Sequence, residues 1–151
     1  MYQIIILLLF TLFSNAANAQ TQSADEILGE WLSEEKDSRI EIYKVGSEYF
    51  GKLLWSENLF ESDGVTSRKD VQNTNEKLRT RNLHNVNILH DFVYEDGLWD
   101  NGKMYDPKSG KTYNCLLKIR KKLLEVRSYI GIPLLGRSTY WERPAKNSAQ
   151  Q

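Results

Sequence analysis

The side chains from which metal or nucleophilic chemistry would have to be built are few. They are His84 and His90, Cys115, and an oxygen-rich stretch holding Asp70, Asn73, Asn75 and Glu76. Zinc sites gather cysteine and histidine at short, paired spacings. Neither histidine here has such neighbours in the sequence, so no metal site is expected. A calcium loop needs regularly spaced oxygens around a central glycine. The 70–76 stretch has neither, and side-chain capping of a short helical turn accounts for it better. No glycine-rich nucleotide motif is present, and no cofactor is expected. The members of a serine triad can lie far apart in sequence, so spacing leaves that chemistry open, but no nucleophile elbow marks one.

Aromatic and arginine residues are more informative. Trp55, Trp99, Tyr105 and Tyr129 are candidate ligand contacts that supply area, with Arg127 as a polar anchor. Trp31 near the start of the folded part, and Trp141 and Arg143 near its end, form a second group. Trp141 and Arg143 share strand parity, so both face one way. If the first and last strands meet, a guanidinium can stack on an indole and hydrogen-bond carbonyls at the end of a barrel. These three residues are expected to close the structure rather than hold a ligand.

The elements that position them are strands. Glu30–Ser33, Arg39–Val45, Tyr49–Trp55, Val86–Tyr94, Leu98–Tyr105 and Lys111–Arg120 carry strand signals separated by turn residues. Leu124, Val126 and Ile130 continue the pattern, and Arg137–Glu142 is the last strand. In Lys111–Arg120 the residues Tyr113, Cys115, Leu117 and Ile119 share one face, which makes Cys115 a packed core thiol. Val86, Ile88, Phe92 and Tyr94 share parity as a half-buried strand requires. Asp96-Gly97 and Asp106-Pro107-Lys108-Ser109-Gly110 are hairpin turns. The basic cluster Lys118, Arg120, Lys121 and Lys122 reads as a solvated hairpin end.

About eight strands joined by short turns predict an all-β fold, a single antiparallel meander closed into a barrel, because closure removes exposed edges. Two connections are not short turns. Residues 56–85 are long enough for a lid, with a helical turn expected over Asn75–Arg79. Residues Gly131–Gly136 are unusually apolar, and the favoured expectation is a plug over a barrel end, since monomers rarely expose contiguous apolar patches.

Compartment follows from the first residues. Ile4–Phe13 is almost continuously apolar and is followed by Ala17-Asn18-Ala19, so residues 1–19 read as a removable secretory signal, although no Lys or Arg opens it. The run is too short to span a bilayer. The domain should then occupy 20–143, with a polar tail over 144–151, in the periplasm or outside the cell. No stable membrane anchor is expected. With 20 Lys plus Arg against 20 Asp plus Glu, none of them in the signal, the mature domain has no net charge with which to bind nucleic acid. One cysteine permits no disulfide within the chain, so packing must stabilise the fold.

Several segments in order resemble the domain-of-unknown-function 2147 family of exported bacterial proteins. They are Gly29-Glu30-Trp31, Ile40–Tyr43, Gly51–Trp55, Asp70–Asn73, Leu78-Arg79, Met104–Tyr113, Val126–Gly131 and Leu135–Arg143. The sequence departs from that pattern at Ser128, where glycine is usual, and at Ser138 and Tyr140. The resemblance implies a barrel similar to the lipocalin or calycin group and implies no reaction. Three functions are therefore weighed. The first is a module binding a small apolar or amphiphilic ligand. The second is an envelope protein-interaction module using the 132–135 loop or the long connection. The third, ranked last, is an enzyme drawing on Asp70, His84, Asp106 or Arg127.

Overall fold

The computed structural model describes residues 23–145; the expected signal segment and most of the expected tail lie outside the described residues. Eight strands follow one another: β1 (Gly29–Ser33), β2 (Ser38–Val45), β3 (Glu48–Ser56), β4 (Asn87–Glu95), β5 (Leu98–Asp106), β6 (Lys111–Arg120), β7 (Leu123–Tyr129) and β8 (Arg137–Glu142). Each pairs antiparallel with its sequence neighbour, and β8 returns to β1, so the sheet is a closed meander barrel. The seam is short. Leu32 pairs with Glu142 and Ser33 with Trp141, and the Glu34 N–H donates to the Tyr140 carbonyl at 2.9 Å.

Tight turns impose the hairpins. Asp96 and Gly97 both take positive φ between β4 and β5, as the twist of the flanking strands demands. Lys121 and Lys122 do the same between β6 and β7 (φ 48 and 69), and they are exposed, as a solvated hairpin end requires.

The interior is filled by Trp31, Tyr49, Phe92 and Trp99 together with Ile40, Leu117 and Leu124. Cys115 lies fully buried among them, and burial, then the charge of Asp100, pushes its thiol up to about 12. Phe92 reaches the axis because Gly102 opposes it; a Cβ there would stand 2.4 Å from the ring.

Strict alternation fails in β4. Leu89 and Phe92 are both buried although they differ in parity. Gly51 pairs with Leu89 and Tyr49 with Phe92, so β4 holds one extra residue there, with Asp91 at φ 61, and a second where Lys52 pairs with Asn87. A bulge of this kind switches the face of every residue beyond it. The expected set nevertheless meets the core, Val86 and Phe92 buried and Ile88 and Tyr94 packed against them in part, and the bulge adds Leu89 to it. Ile130 also leaves the expected pattern: β7 ends at Tyr129 and Ile130 is exposed.

One barrel end is sealed by a short 3-10 turn, Ala24–Ile27. Ile27 is fully buried. The indole N–H of Trp31 donates to the Ile27 carbonyl at 2.8 Å, and that of Trp99 to the Ala24 carbonyl at 3.1 Å. The Tyr49 hydroxyl donates to Asp25 at 2.7 Å. The barrel thus has a plug, but at the end opposite the β7–β8 connection that holds the 132–135 segment. That apolar loop is not a plug: Ile132, Leu134 and Leu135 are 54%, 80% and 78% exposed.

Arg143 fastens the same end. Its guanidinium lies 3.8 Å from the centre of the Trp31 ring and donates to the carbonyls of Glu30 (3.1 Å) and Glu26 (2.6 Å). Trp141 sits on the seam itself, half-buried, paired with Ser33 of β1 on one side and Leu124 of β7 on the other.

Candidate functional site

The opposite end gathers the β1–β2 turn, the long connection between β3 and β4, and the β5–β6 hairpin. Between them lies a cavity of about 270 Å³. Leu53, Leu83, Ile88, Met104 and Trp141 form its apolar wall. Ser38, Ser56, Asn58, Tyr105, Asp106 and Lys108 form its polar part. An interior packed with aromatic side chains at one end leaves an eight-stranded barrel room for one small molecule at the other.

The long connection is tied down by a buried carboxylate. The Asp70 side chain has no solvent exposure and accepts from four donor atoms. The Tyr105 hydroxyl donates to it at 2.5 Å and the Asn73 amide at 2.8 Å. Arg81 Nε and its second nitrogen each approach at 2.8 Å. The Asn73 amide also donates to the Tyr105 hydroxyl at 3.1 Å. Burial, then the adjacent Asp70, pushes the Tyr105 hydroxyl up to about 12. Gly110 completes the attachment: at φ 70 it lies so close to the Gln72 carbonyl that a Cβ would stand 1.8 Å from the oxygen. Leu83 and Asn58 thus reach the cavity wall from a connection anchored to β5 and the β5–β6 hairpin.

A second cleft, about 300 Å³, runs along the β1–β2 turn and β8 and shares Ser38 and Trp141 with the first. It is acidic, lined by Glu34, Glu35 and Asp37. The Ser33 hydroxyl, then that of Ser38, donate to Asp37 and hold its carboxyl below the ordinary value, with the charge of Lys108 adding to the effect.

Of the five ligand contacts expected from sequence, Tyr105 lines the mouth cavity and the other four do not. Trp99 is fully buried core, packed on Tyr94 and Tyr49 at 4.8 and 6.3 Å. Trp55 is turned outward by a bulge: Arg39 pairs with Trp55 but Ile40 with Leu53, so Leu54 is the extra residue. Arg127 straps the 131–136 loop, donating to the carbonyls of Pro133 (2.7 Å) and Leu134 (3.2 Å) and to the Ser138 hydroxyl (2.9 Å). Tyr129 ends β7 opposite Asn114, half-buried.

Three further positions weighed for catalysis also lie apart. Asp70 is the connection's anchor. Asp106 accepts from the Lys108 N–H and the Ser109 hydroxyl within its own hairpin, and the His84 ring rests on Phe60 at 5.4 Å. Among the described residues no group of three or more His, Cys, Asp or Glu is arranged to hold a metal.

Sequence reasoning missed Leu53, Ile88, Met104 and Lys108 as cavity residues and assigned Trp141 to closure alone. Parity placed Leu53, Ile88 and Met104 no differently from core residues; only the height of each along its strand separates wall from core.

The Helicobacter pylori protein HP1028, described as belonging to the lipocalin family, matches this fold with a TM-score of 0.69 at 26% identity, covering 80% of this chain and 84% of that one. Among curated proteins no relative matches. The family model described as "Uncharacterized protein conserved in bacteria (DUF2147)" matches residues 29–143, the whole barrel from the first residue of β1 to the arginine that closes it, and the chain belongs to that family.

Proposed function

We propose that this domain is an exported binding module that holds one small, partly apolar molecule in the mouth cavity. The observation that carries this reading is the cavity itself: an apolar wall with a few convergent polar groups, at the one barrel end that the aromatic core leaves unfilled. Its volume, just below the usual range for drug-sized ligands, favours a compact molecule or a short chain. The lipocalin description of HP1028 supports the same class of activity. Export, to the periplasm or beyond, rests on the signal-like residues 1–19.

The test is native mass spectrometry of the purified domain after incubation with mixed lipids and small organic acids. Retention of one molecule per chain, abolished by Ile88→Phe without loss of fold, is the expected result. If no mixture leaves a bound mass, the reading fails.

A second reading, a docking module of the cell envelope, is favoured by one observation. Arg127 holds the carbonyls of Pro133 and Leu134 in the 131–136 loop while Ile130, Leu134 and Leu135 stand 78%, 80% and 78% exposed. Exposed apolar clusters of this kind mark contact surfaces. Crosslinking in cells should then capture a defined partner, and Leu134→Asp should abolish the capture while leaving the thermal melt unchanged. An unaltered crosslink pattern counts against it.

A further inference from the structure

Pairing across the barrel seam stops before β8 does. Strand β1 meets β8 only where Leu32 pairs with Glu142 and Ser33 with Trp141. One bond follows, from the Glu34 N–H to the Tyr140 carbonyl at 2.9 Å. The chain then turns away, the Lys36 N–H closing on the Ser33 carbonyl at 2.9 Å. On its other side β8 stays paired with β7 through Thr139, Ser138 and Arg137. Among the described residues no strand or isolated bridge covers those three from the β1 side. Backbone groups along an antiparallel strand face its two neighbours by turns. Tyr140 gives its carbonyl to the β1 side, so Ser138 turns its N–H and C=O the same way, toward the acidic cleft that it lines. A bare strand edge of this kind is a template for another strand.

Two neighbours of the edge specify that strand. The first is charge. Glu34, Glu35 and Asp37 line the cleft, and no cation does. Asp37 is held by the hydroxyls of Ser33 and Ser38, with the charge of Lys108 acting on it as well. Lys36 is bound to Glu142. Arg137 stands at the far end of the edge, where β8 begins. Glu34 and Glu35, both exposed, thus keep one end of the cleft acidic. The second neighbour is the apolar loop. Arg127 ties it to the edge, donating to the Ser138 hydroxyl at 2.9 Å and to the carbonyls of Pro133 and Leu134 at 2.7 and 3.2 Å.

We infer, resting on the docking reading above, that the partner is an extended peptide segment, basic and apolar, that adds to the bare edge of β8 as a short strand. Its backbone bonds Ser138, a Lys or Arg meets Glu34 and Glu35, and an apolar side chain rests on Leu134. Backbone bonds supply affinity in this mode and side chains the choice of partner.

The experiment selects random nonapeptides, displayed on phage, against the purified barrel domain, and studies synthetic copies of the enriched ones by NMR. Enriched peptides are expected to carry Lys or Arg beside apolar residues. Near saturation, they should slow hydrogen exchange at the Ser138 amide about tenfold, because that N–H gains a partner. Methylating the peptide's backbone nitrogens should abolish binding while the domain itself is untouched. Glu34→Gln with Glu35→Gln should weaken binding about threefold to tenfold, the scale of two exposed charge contacts, and added salt should do the same. Ser138→Pro, which removes only an N–H outside the ladder, should abolish it, with a thermal melt as the check on folding. The inference is overturned if no peptide is enriched, if the enriched peptides are acidic, or if N-methylated copies bind as well. The docking reading survives any of these results if crosslinking in cells still captures a partner through Leu134, and falls with the inference if it does not.

Discussion

Replacing Asp70 by alanine should release the long connection from the barrel. The carboxylate takes donors from Tyr105, Asn73 and Arg81. Arg81 is 32% exposed and can rehydrate once its partner is gone. Tyr105 and Asn73 are buried, and each stranded donor costs about 1–3 kcal/mol. The hydrogen bond from the Asn73 amide to the Tyr105 hydroxyl survives and offsets part of that loss. The net expectation is about 3 kcal/mol, or roughly 10 °C in Tm for a domain of this size. The loss should also be local. In native-state hydrogen exchange, amides that bond within the connection, such as Arg68 to Leu59, Leu83 to Arg68 and Asp70 to Arg81, should lose protection, while β6 and β7 keep it. Asp70→Asn, which keeps the shape and one acceptor oxygen, should fall between the two. A Tm within about 3 °C of the native value for Asp70→Ala, with unchanged exchange in the connection, would refute the view that this carboxylate carries the attachment.

Three further outcomes are expected. Tyr105 titrates near 12 in the fold against about 10 in the unfolded chain, so its contribution is fully present below pH 10 and is lost as pH rises through 12. Alkaline urea melts of the native domain should therefore lose about 2–3 kcal/mol relative to Tyr105→Phe between pH 10 and pH 12, and parallel curves would contradict this. Arg143→Ala removes the stack on Trp31 and two hydrogen bonds to carbonyls, for a loss of about 2 kcal/mol in urea denaturation; Arg143→Lys should not restore it, because an ammonium lacks the planar fork. Gly102→Ala should cost about 1–3 kcal/mol through collision with the Phe92 ring, and Phe92→Leu in the same chain should recover part of it; additive losses in the double variant would sink the steric explanation.

The barrel is written in local sequence. Period-two alternation in Lys111–Arg120, turn residues at Asp96-Gly97 and Asp106–Gly110, and strand-like segments spaced by short turns are local properties. Local patterning and turn residues suffice to place the strands and hairpins to within a few residues. Arg143 was legible as a residue of the barrel end because parity and closure together restrict where a terminal arginine can reach. Depth and face, in contrast, were set by long-range packing. The extra residues at Leu54 and near Asp91 reverse the parity of everything beyond them, which moved Trp55 outward and let Leu89 and Phe92 both turn in. The aromatic residues nearest the sealed end, Trp99 among them, became core because Ala24–Ile27 folds back over them. Asp70 and Tyr105 are 35 residues apart, so their hydrogen bond has no local signature. The mouth cavity is likewise made by segments distant in sequence, and a site of that kind exists only once the barrel has closed and fixed how far along its axis each side chain stands.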